Sequence, residues 1–231
     1  IWTACETLRQ ALAQHAQDTL PRIWETCRID APYRPDAEQS GKRALAAAVL
    51  SLITRLDGGA LAASQYGSAD NMTLQVSALS CLLKAGKGQA ETAAFYAQWQ
   101  QDRLVIDKWF MLQVLQAAPE KAAATAKALT EHADFNWKNP NRFRALLGAL
   151  TGNHAGFHAA DGAGYALLAD WLIRLDPVNP QTTARMCAAF QTWRRYDAGR
   201  QGLIRAQLDR IGAQPGLSRD TTEMITRIQG N

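Results

Sequence analysis

The sequence has no run of about eighteen uninterrupted apolar residues, the minimum that a membrane-spanning helix needs. Its longest apolar stretch, residues 44–56, contains Ser51 and Thr54 and ends at Asp57-Gly58-Gly59. The first residue is Ile1, and no charged-then-apolar secretory signal pattern follows it. We therefore expect this chain to be a fragment of a longer polypeptide, and we expect no membrane partner.

Cysteine is scarce and dispersed. The four cysteines, Cys5, Cys27, Cys81 and Cys187, lie far apart and form no Cys-x-x-Cys pair. This spacing is typical of neither a zinc knuckle nor a disulfide framework. We expect buried thiols in a reducing cytoplasm.

Catalytic motifs are missing as well. The chain has no Gly-x-Ser-x-Gly elbow, no Walker loop and no His-Glu-x-x-His. His154 and His158 are four residues apart, as zinc-binding histidines on a helix are, but no glutamate lies between them. Asn153 and Gly156 argue against a helix there. We expect a structural role for His158, and in this fragment no catalytic residue, no metal site and no cofactor.

The net charge of +4 is concentrated in the C-terminal part of the chain. Residues 190–231 carry seven arginines against four acidic residues, a surplus of 7 − 4 = +3. A basic surface is one sign of nucleic-acid binding. However, Arg205 and Asp209 have the four-residue spacing of a surface ion pair on a helix. We expect that pairing and no nucleic-acid partner.

Helical periodicity covers nearly the whole chain, and no stretch alternates as a strand does. Asp36 with Gln39, Asn71 and Ser218 have the positions of helix N-caps, and Asp107 is predicted as a further cap. About a dozen helices joined by short loops favour antiparallel neighbours in a linear array. We predict an all-α fold: a superhelical array of antiparallel helix pairs, armadillo-like or HEAT-like, forming a single domain over residues 1–231. The alternative is a globular helical bundle.

Two Asn-Pro pairs predict helix starts, because asparagine caps free N–H groups and proline fits the first helical position. The pairs begin at Asn139 and Asn179, and their separation of 179 − 139 = 40 residues is close to the ~40–47-residue period of helix-pair repeats. The second pair predicts a helix over residues 180–193.

An arginine follows each predicted start within two turns, Arg144 in the first helix and Arg185 in the second, and Gln181 directly follows Pro180. Arginines near helix starts can hold a carboxylate or a carbonyl through forked donors. We predict that Arg144, Gln181 and Arg185 bind a ligand. The alternative is that the two arginines pair with acidic residues such as Asp161 or Asp176.

Three segments of the chain resemble the C-terminal helical domain of bacterial aminopeptidase N, the gluzincin-type zinc alanyl aminopeptidase. They are residues 139–144 (Asn-Pro-Asn-Arg-Phe-Arg), 157–165 (Phe-His-Ala-Ala-Asp-Gly-Ala-Gly-Tyr) and 179–181 (Asn-Pro-Gln). Residues 71–73, 105–110, 194–201 and 217–220 extend the similarity. In order and spacing, the matching segments cover essentially the whole chain.

The resemblance implies a cap domain that closes over the active site of a zinc metalloaminopeptidase, an enzyme that removes N-terminal amino acids from peptides. It implies zinc in the parent enzyme and an inactive fragment, since the zinc motif and the Gly-x-Met-Glu-Asn motif are absent here. The implied partners are the upstream catalytic domain and peptide substrates. The alternative function is a free-standing helical-repeat module that binds another protein.

The resemblance also implies roles for the three predicted binding residues. Gln181 matches a glutamine near the pocket for the substrate's N-terminal side chain. Arg144 and Arg185 match arginines that reach toward the far side of the peptide, including its carboxylate.

Overall fold

The computed structural model describes residues 1–230, and Asn231 lies outside the described residues. Within residues 1–230 every regular element is a helix and there is no β-strand, so the predicted all-α class is confirmed. None of the helices in this range combines the length and the apolar character that crossing a bilayer takes.

The chain forms two compact units, Ile1–Gln100 and Gln101–Asn231. The helices of the first unit are α1 (Trp2–His15), α2 (Leu20–Thr26), α3 (Ala37–Asp57), α4 (Ala60–Ser68), α5 (Met72–Lys84) and α6 (Gln89–Trp99). The grouping of all 231 residues into a single domain stays a prediction.

The second unit begins with α7 (Arg103–Leu115), α8 (Pro119–Thr130), α9 (Pro140–Gly152) and the short α10 (His154–Phe157). It continues with α11 (Ala163–Leu175), α12 (Pro180–Cys187), α13 (Ala198–Gly212) and α14 (Arg219–Gln229). The predicted helix 180–193 is shorter than expected, because the chain tightens after α12 into two 3₁₀ segments, Ala188–Phe190 and Trp193–Arg195.

Side-chain caps begin several of these helices as predicted. Asp36 Oδ1 accepts from the backbone N–H of Gln39 at 2.8 Å. Asn71 Oδ1 accepts from Leu74 N–H at 3.1 Å, and Ser218 Oγ from Thr221 N–H at 3.3 Å. Each cap satisfies an N–H group that the first turn leaves free.

Helix α3 is the centre of the first unit. It packs against α1, α2, α4 and α5. The buried side chains of Leu50, Ala62, Ala78 and Leu82 form the core between α3, α4 and α5, and Trp24 of α2 packs against them.

Aromatic side chains fill the core of the second unit. Phe110, Phe143, Phe157, Tyr165 and Phe190 are all fully buried. Helix α7 packs against α9, α11 against α13, and α12 against α14. These contacts hold α9 and α12, which carry the predicted binding residues, on a rigid framework.

The expectation that Asn153 and Gly156 prevent a helix at residues 154–158 is wrong. Asn153 caps α10, and its Oδ1 accepts from Gly156 N–H at 3.1 Å. Its Nδ2 donates to the carbonyl oxygens of Val114 at 3.0 Å and Ala117 at 2.9 Å. Glycine is needed at 156 because a Cβ there would overlap Ala122 of α8.

Three further local expectations are wrong. Arg205 does not pair with Asp209; its guanidinium lies over the Trp193 ring, 5.1 Å from the centroid, and Asp209 accepts from Gln229 at 2.7 Å. Asp102 rather than Asp107 caps α7. Of the four free cysteines, Cys5 is exposed whereas the other three are buried as expected.

Candidate functional site

A groove of about 420 Å³ lies in the second unit, between the C-terminal half of α9, α10, and α12 with the 3₁₀ segment that follows it. We call it the α9–α12 groove. The lining residues that matter below are Gly148, Thr151, His154, His158, Arg185 and Tyr196.

Arg185 lines the groove, and Gln181 lies one helical turn before it on α12. Both side chains are exposed. Because residues four apart share a helix face, the Gln181 amide and the Arg185 guanidinium lie side by side along α12. Within residues 1–230 no hydrogen bond or ion pair engages the Arg185 guanidinium, so its forked donors are free to bind a ligand.

Arg144 lies on α9, one turn before Gly148, which lines the groove. The Arg144 side chain is exposed and folds back along its own helix. Its Nε donates to the carbonyl oxygen of Pro140 at 3.1 Å, and its Nη2 to Asn141 Oδ1 at 2.7 Å. Of the three predicted residues, only Arg185 lines the groove.

The alternative that these arginines pair with Asp161 or Asp176 is wrong. Asp161 Oδ1 accepts from the backbone N–H of Ala163 at 3.0 Å. The buried Asp176 carboxylate accepts from Ser218 and Thr221 at the start of α14. Neither carboxylate forms an ion pair with Arg144 or Arg185.

Arg142 is a positioning residue that the sequence reasoning missed. It is 7% exposed, and its Nε donates to the Asp107 carboxylate of α7. It also donates to the backbone carbonyls of Asp134 and of Arg103, and it lies over the Phe110 ring. The signal was available: 142, 146 and 150 recur every four residues on the buried face of α9, whereas 144 falls on the opposite side.

His158 forms part of the groove wall and is held on three sides. Its Nδ1 lies 2.9 Å from the Tyr165 hydroxyl oxygen, and its ring stacks on Tyr196 with 4.1 Å between centroids. The Arg200 Nε donates to the His158 carbonyl oxygen at 2.7 Å. The hydrogen-bond partner of the imidazole is thus the Tyr165 hydroxyl.

Both rings of this pair are uncharged at neutral pH. Burial, together with the nearby charges of His154 and Arg200, lowers the pKa of His158 from 6.5 to about 4. Burial raises the pKa of Tyr165 from 10 to about 12. The groove wall therefore presents the neutral imidazole of His158 beside the Arg185 guanidinium.

The low pKa of His158 predicts a pH-dependent stability. Between pH 6.5 and about 4 the unfolded chain binds a proton at His158 that the folded chain does not, so the free energy of unfolding falls as the pH falls. We expect a loss of about 1–2 kcal/mol across this range, which allows for solvent screening at a half-buried ring.

Urea unfolding at a series of pH values checks this expectation. The His158→Gln variant should lose less stability between pH 7 and pH 4.5 than the wild type does. His15 is exposed on α1, and His15→Gln should leave the pH dependence unchanged. Parallel curves for the wild type and the His158→Gln variant would contradict a depressed pKa.

Within residues 1–230, His, Cys, Asp and Glu side chains form no group of three or more that could hold a metal ion. The His154 and His158 pair lacks a third ligand, and the Nδ1 of His158 is engaged with Tyr165.

Comparison with known proteins gives a consistent picture. Residues 1–230 match a family described as a domain of unknown function (DUF3458_C) with ARM repeats. The chain is 37% identical over 233 residues to aminopeptidase N of Caulobacter vibrioides, covering 98% of this chain and 27% of that protein. It is 36% identical over 229 residues to aminopeptidase N of Escherichia coli (strain K12), covering 96% and 26% respectively.

A solved structure is also similar. The crystal structure of Legionella pneumophila aminopeptidase A in complex with aspartic acid matches 97% of this chain, with a TM-score of 0.88 and 28% identity, over 28% of that protein. The chain thus spans roughly a quarter of the length of the relatives it matches. The ARM-repeat description confirms the predicted armadillo-like helical array.

Proposed function

Since this chain belongs to the DUF3458_C family of ARM-repeat domains, the C-terminal domain of aminopeptidase N, we propose that it is the cap of a zinc aminopeptidase. The parent enzyme removes N-terminal amino acids from peptides, and this domain closes over its active site. The similarity to aminopeptidases along nearly the whole chain supports this proposal.

The cap contributes substrate contacts through Arg185, Gln181 and Arg144. The observation that carries this assignment is the unpaired Arg185 guanidinium in the α9–α12 groove. A planar guanidinium with free donors suits a peptide carboxylate or carbonyl, and the amide of Gln181 adds one donor and one acceptor on the same helix face. With a neutral His158 beside it, the groove favours an anionic or carbonyl-rich segment over a cationic one.

The catalytic part of the same polypeptide is the proposed partner. Helix α1 exposes apolar side chains that a packed helix normally covers: Trp2 is 42%, Leu8 69% and Leu12 52% exposed. Leu8 and Leu12 are one turn apart and share a face. An exposed apolar stripe of this kind marks a surface that another part of a protein packs against.

Zinc belongs to the parent enzyme in this proposal. We propose that the zinc ligands and the catalytic step belong to the rest of the polypeptide and that the fragment alone is inactive. The described residues hold no group of three or more candidate ligands, which supports this assignment. We also propose a cytoplasmic location, which the four free cysteines support because disulfides are rare in a reducing compartment.

Substitution of Arg185 in the parent enzyme tests the proposed contact. For Arg185→Ala we expect KM for a tripeptide to rise about tenfold, because one charge-assisted hydrogen bond is lost. KM for a single-residue chromogenic amide, which does not reach the groove, should change little. Arg185→Lys keeps the charge but loses the fork and should have an intermediate effect.

Arg219→Ala is the matched control. Arg219 is an exposed arginine of α14 that pairs with Glu223 at 2.8 Å and does not line the groove. Its removal should leave both KM values unchanged. Equal rises for the tripeptide and the amide in Arg185→Ala would show that Arg185 acts on structure rather than on the distal part of the substrate.

A further inference from the structure

A second cavity of about 350 Å³ lies within the first unit, among α3, α4, the start of α5 and the loop that follows α2. We call it the Arg43 cavity. It is built from residues of the first unit alone and shares none with the α9–α12 groove. Its size falls in the range of small-molecule sites.

Arg43 lines this cavity and is only 5% exposed. Its Nη1 donates to Gln39 Oε1 at 3.1 Å, and its Nη2 to the Arg34 carbonyl oxygen at 3.0 Å and to Ser40 Oγ at 3.2 Å. The Tyr33 ring lies 4.6 Å from the guanidinium carbon. All of these partners are neutral.

No carboxylate of the described residues therefore forms an ion pair with Arg43. Within residues 1–230 no carboxylate lies within 4.0 Å of its nitrogens, whereas the other well-buried arginine, Arg142, has Asp107. A buried charge without an opposite charge is costly, and a bound anion would remove that cost.

Trp24 supplies a buried hydrogen-bond donor without a partner. It lines the cavity, and its indole Nε1–H is buried with no acceptor among the described residues. Buried donors in folded proteins nearly always find an acceptor. An oxygen atom in the cavity would satisfy it.

Two amide side chains in the wall, Gln39 and Gln65, already have partners. Gln39 Oε1 accepts from Arg34 N–H and from Arg43, and its Nε2 donates to the Pro32 carbonyl. Gln65 Nε2 donates to the Leu74 carbonyl and to Ser77. Arg43 has no ion-pair partner and the Trp24 indole N–H has no acceptor, so both favour an occupant that brings negative charge and oxygen acceptors.

We propose that the Arg43 cavity binds a small monocarboxylate, whose oxygens accept from the Arg43 guanidinium and from the Trp24 indole N–H. Asp30 and Asp70 also line the cavity and are exposed. The negative charges of these two carboxylates repel a polyanion such as a nucleotide. If the ligand is a free amino acid, the carboxylates accept hydrogen bonds from its ammonium group.

The indole N–H signal of Trp24 in the NMR spectrum of this chain tests the proposal. The Trp24→Phe variant assigns the signal by its disappearance. Butyrate is the carboxylate probe, alanine the zwitterionic probe and butylamine the cationic control, each added against sodium chloride at matched ionic strength. We expect a saturable shift of the Trp24 signal with butyrate, with alanine, or with both, and none with butylamine or chloride.

Calorimetric titration of variants then assigns the contacts. Arg43→Gln should raise the Kd for the bound probe by about tenfold or more. Trp24→Phe removes the indole donor, so it should also raise the Kd for the bound probe. Arg34→Ala is the control, because the Arg34 side chain pairs with Asp36 and does not line the cavity. The Arg34→Ala variant should bind the probe with the Kd of the wild type.

The two probes separate the possible ligand sources. Binding of alanine alone identifies an amino acid, and equal binding of both probes identifies the carboxylate as sufficient. Absence of a saturable shift with either probe, or a shift with butylamine, would overturn the proposal. Should Arg43→Gln fail to fold, an unchanged Kd in Trp24→Phe would overturn it.

Discussion

Replacing Arg142 with methionine is expected to lower the free energy of unfolding by about 3 kcal/mol. The substitution keeps a long apolar side chain under Phe110 but leaves the Asp107 carboxylate, 18% exposed, without its guanidinium. It also leaves the backbone carbonyls of Asp134 and Arg103 without a donor. Removing one member of a buried ion pair typically costs about 3–5 kcal/mol, and the partial exposure of Asp107 places this pair at the lower end.

Urea unfolding followed by circular dichroism measures the loss. Arg144→Met is a close control, because Arg144 is two residues away on the exposed side of α9 and should cost no more than about 0.5 kcal/mol. The double variant Arg142→Met with Asp107→Leu should regain stability relative to Arg142→Met alone, since it leaves no unpaired charge. A loss below about 1 kcal/mol for Arg142→Met would show that the pair does not hold α7 to α9.

Asp176→Ala is the second substitution with a large expected effect, again about 3 kcal/mol. Asp176 is 2% exposed and directly follows α11. Its Oδ2 accepts from Ser218 N–H at 2.7 Å, and its Oδ1 from the hydroxyls of Ser218 at 2.7 Å and Thr221 at 2.5 Å. Hydrogen bonds to a charged acceptor contribute about 1.5–3 kcal/mol each, and the loss is not additive because the three share one carboxylate.

The same carboxylate faces the N-terminus of α14, where a negative charge is favourable. We therefore expect the largest drop in amide-exchange protection at the first turn of α14. Because α14 packs against α12, Asp176→Ala should also raise exchange near Arg185.

Asp170→Ala is the control for this experiment. Asp170 lies on α11, and its pair with Arg210 at 2.7 Å is exposed, so its loss should cost under about 1 kcal/mol. Asp176→Asn keeps one carbonyl acceptor and should fall between the wild type and the alanine variant. If Asp176→Ala and Asp170→Ala cost the same, the buried carboxylate does not fasten α14.

Local structure was predictable from the sequence because it depends on residues within about one helical turn. The caps Asp36, Asn71 and Ser218 agree with the pattern that predicted them. Helix α10 was missed because asparagine and glycine disfavour a helix locally. There the contacts of Asn153 with α7 and of Gly156 with α8 outweigh propensity.

Charged side chains were predicted less well, because the partner of a charge is set by the fold. Asp107 has the pattern of a cap, yet it pairs with Arg142, 35 residues away. Arg205 is one turn from Asp209 but lies over Trp193 instead. In each case a distant segment offers a partner that outweighs the local interaction suggested by the spacing.

By itself the sequence determined the helical class, most of the caps, and the placing of Gln181 and Arg185 on one face of α12, since all three follow from spacings of a few residues. Only the tertiary structure decided that α9, α10 and α12 enclose a groove, that His158 is neutral within it, and that Arg43 is buried without an ion-pair partner among the described residues. The physical reason is that burial and electrostatic environment depend on which segments, tens of residues apart in the chain, are packed together.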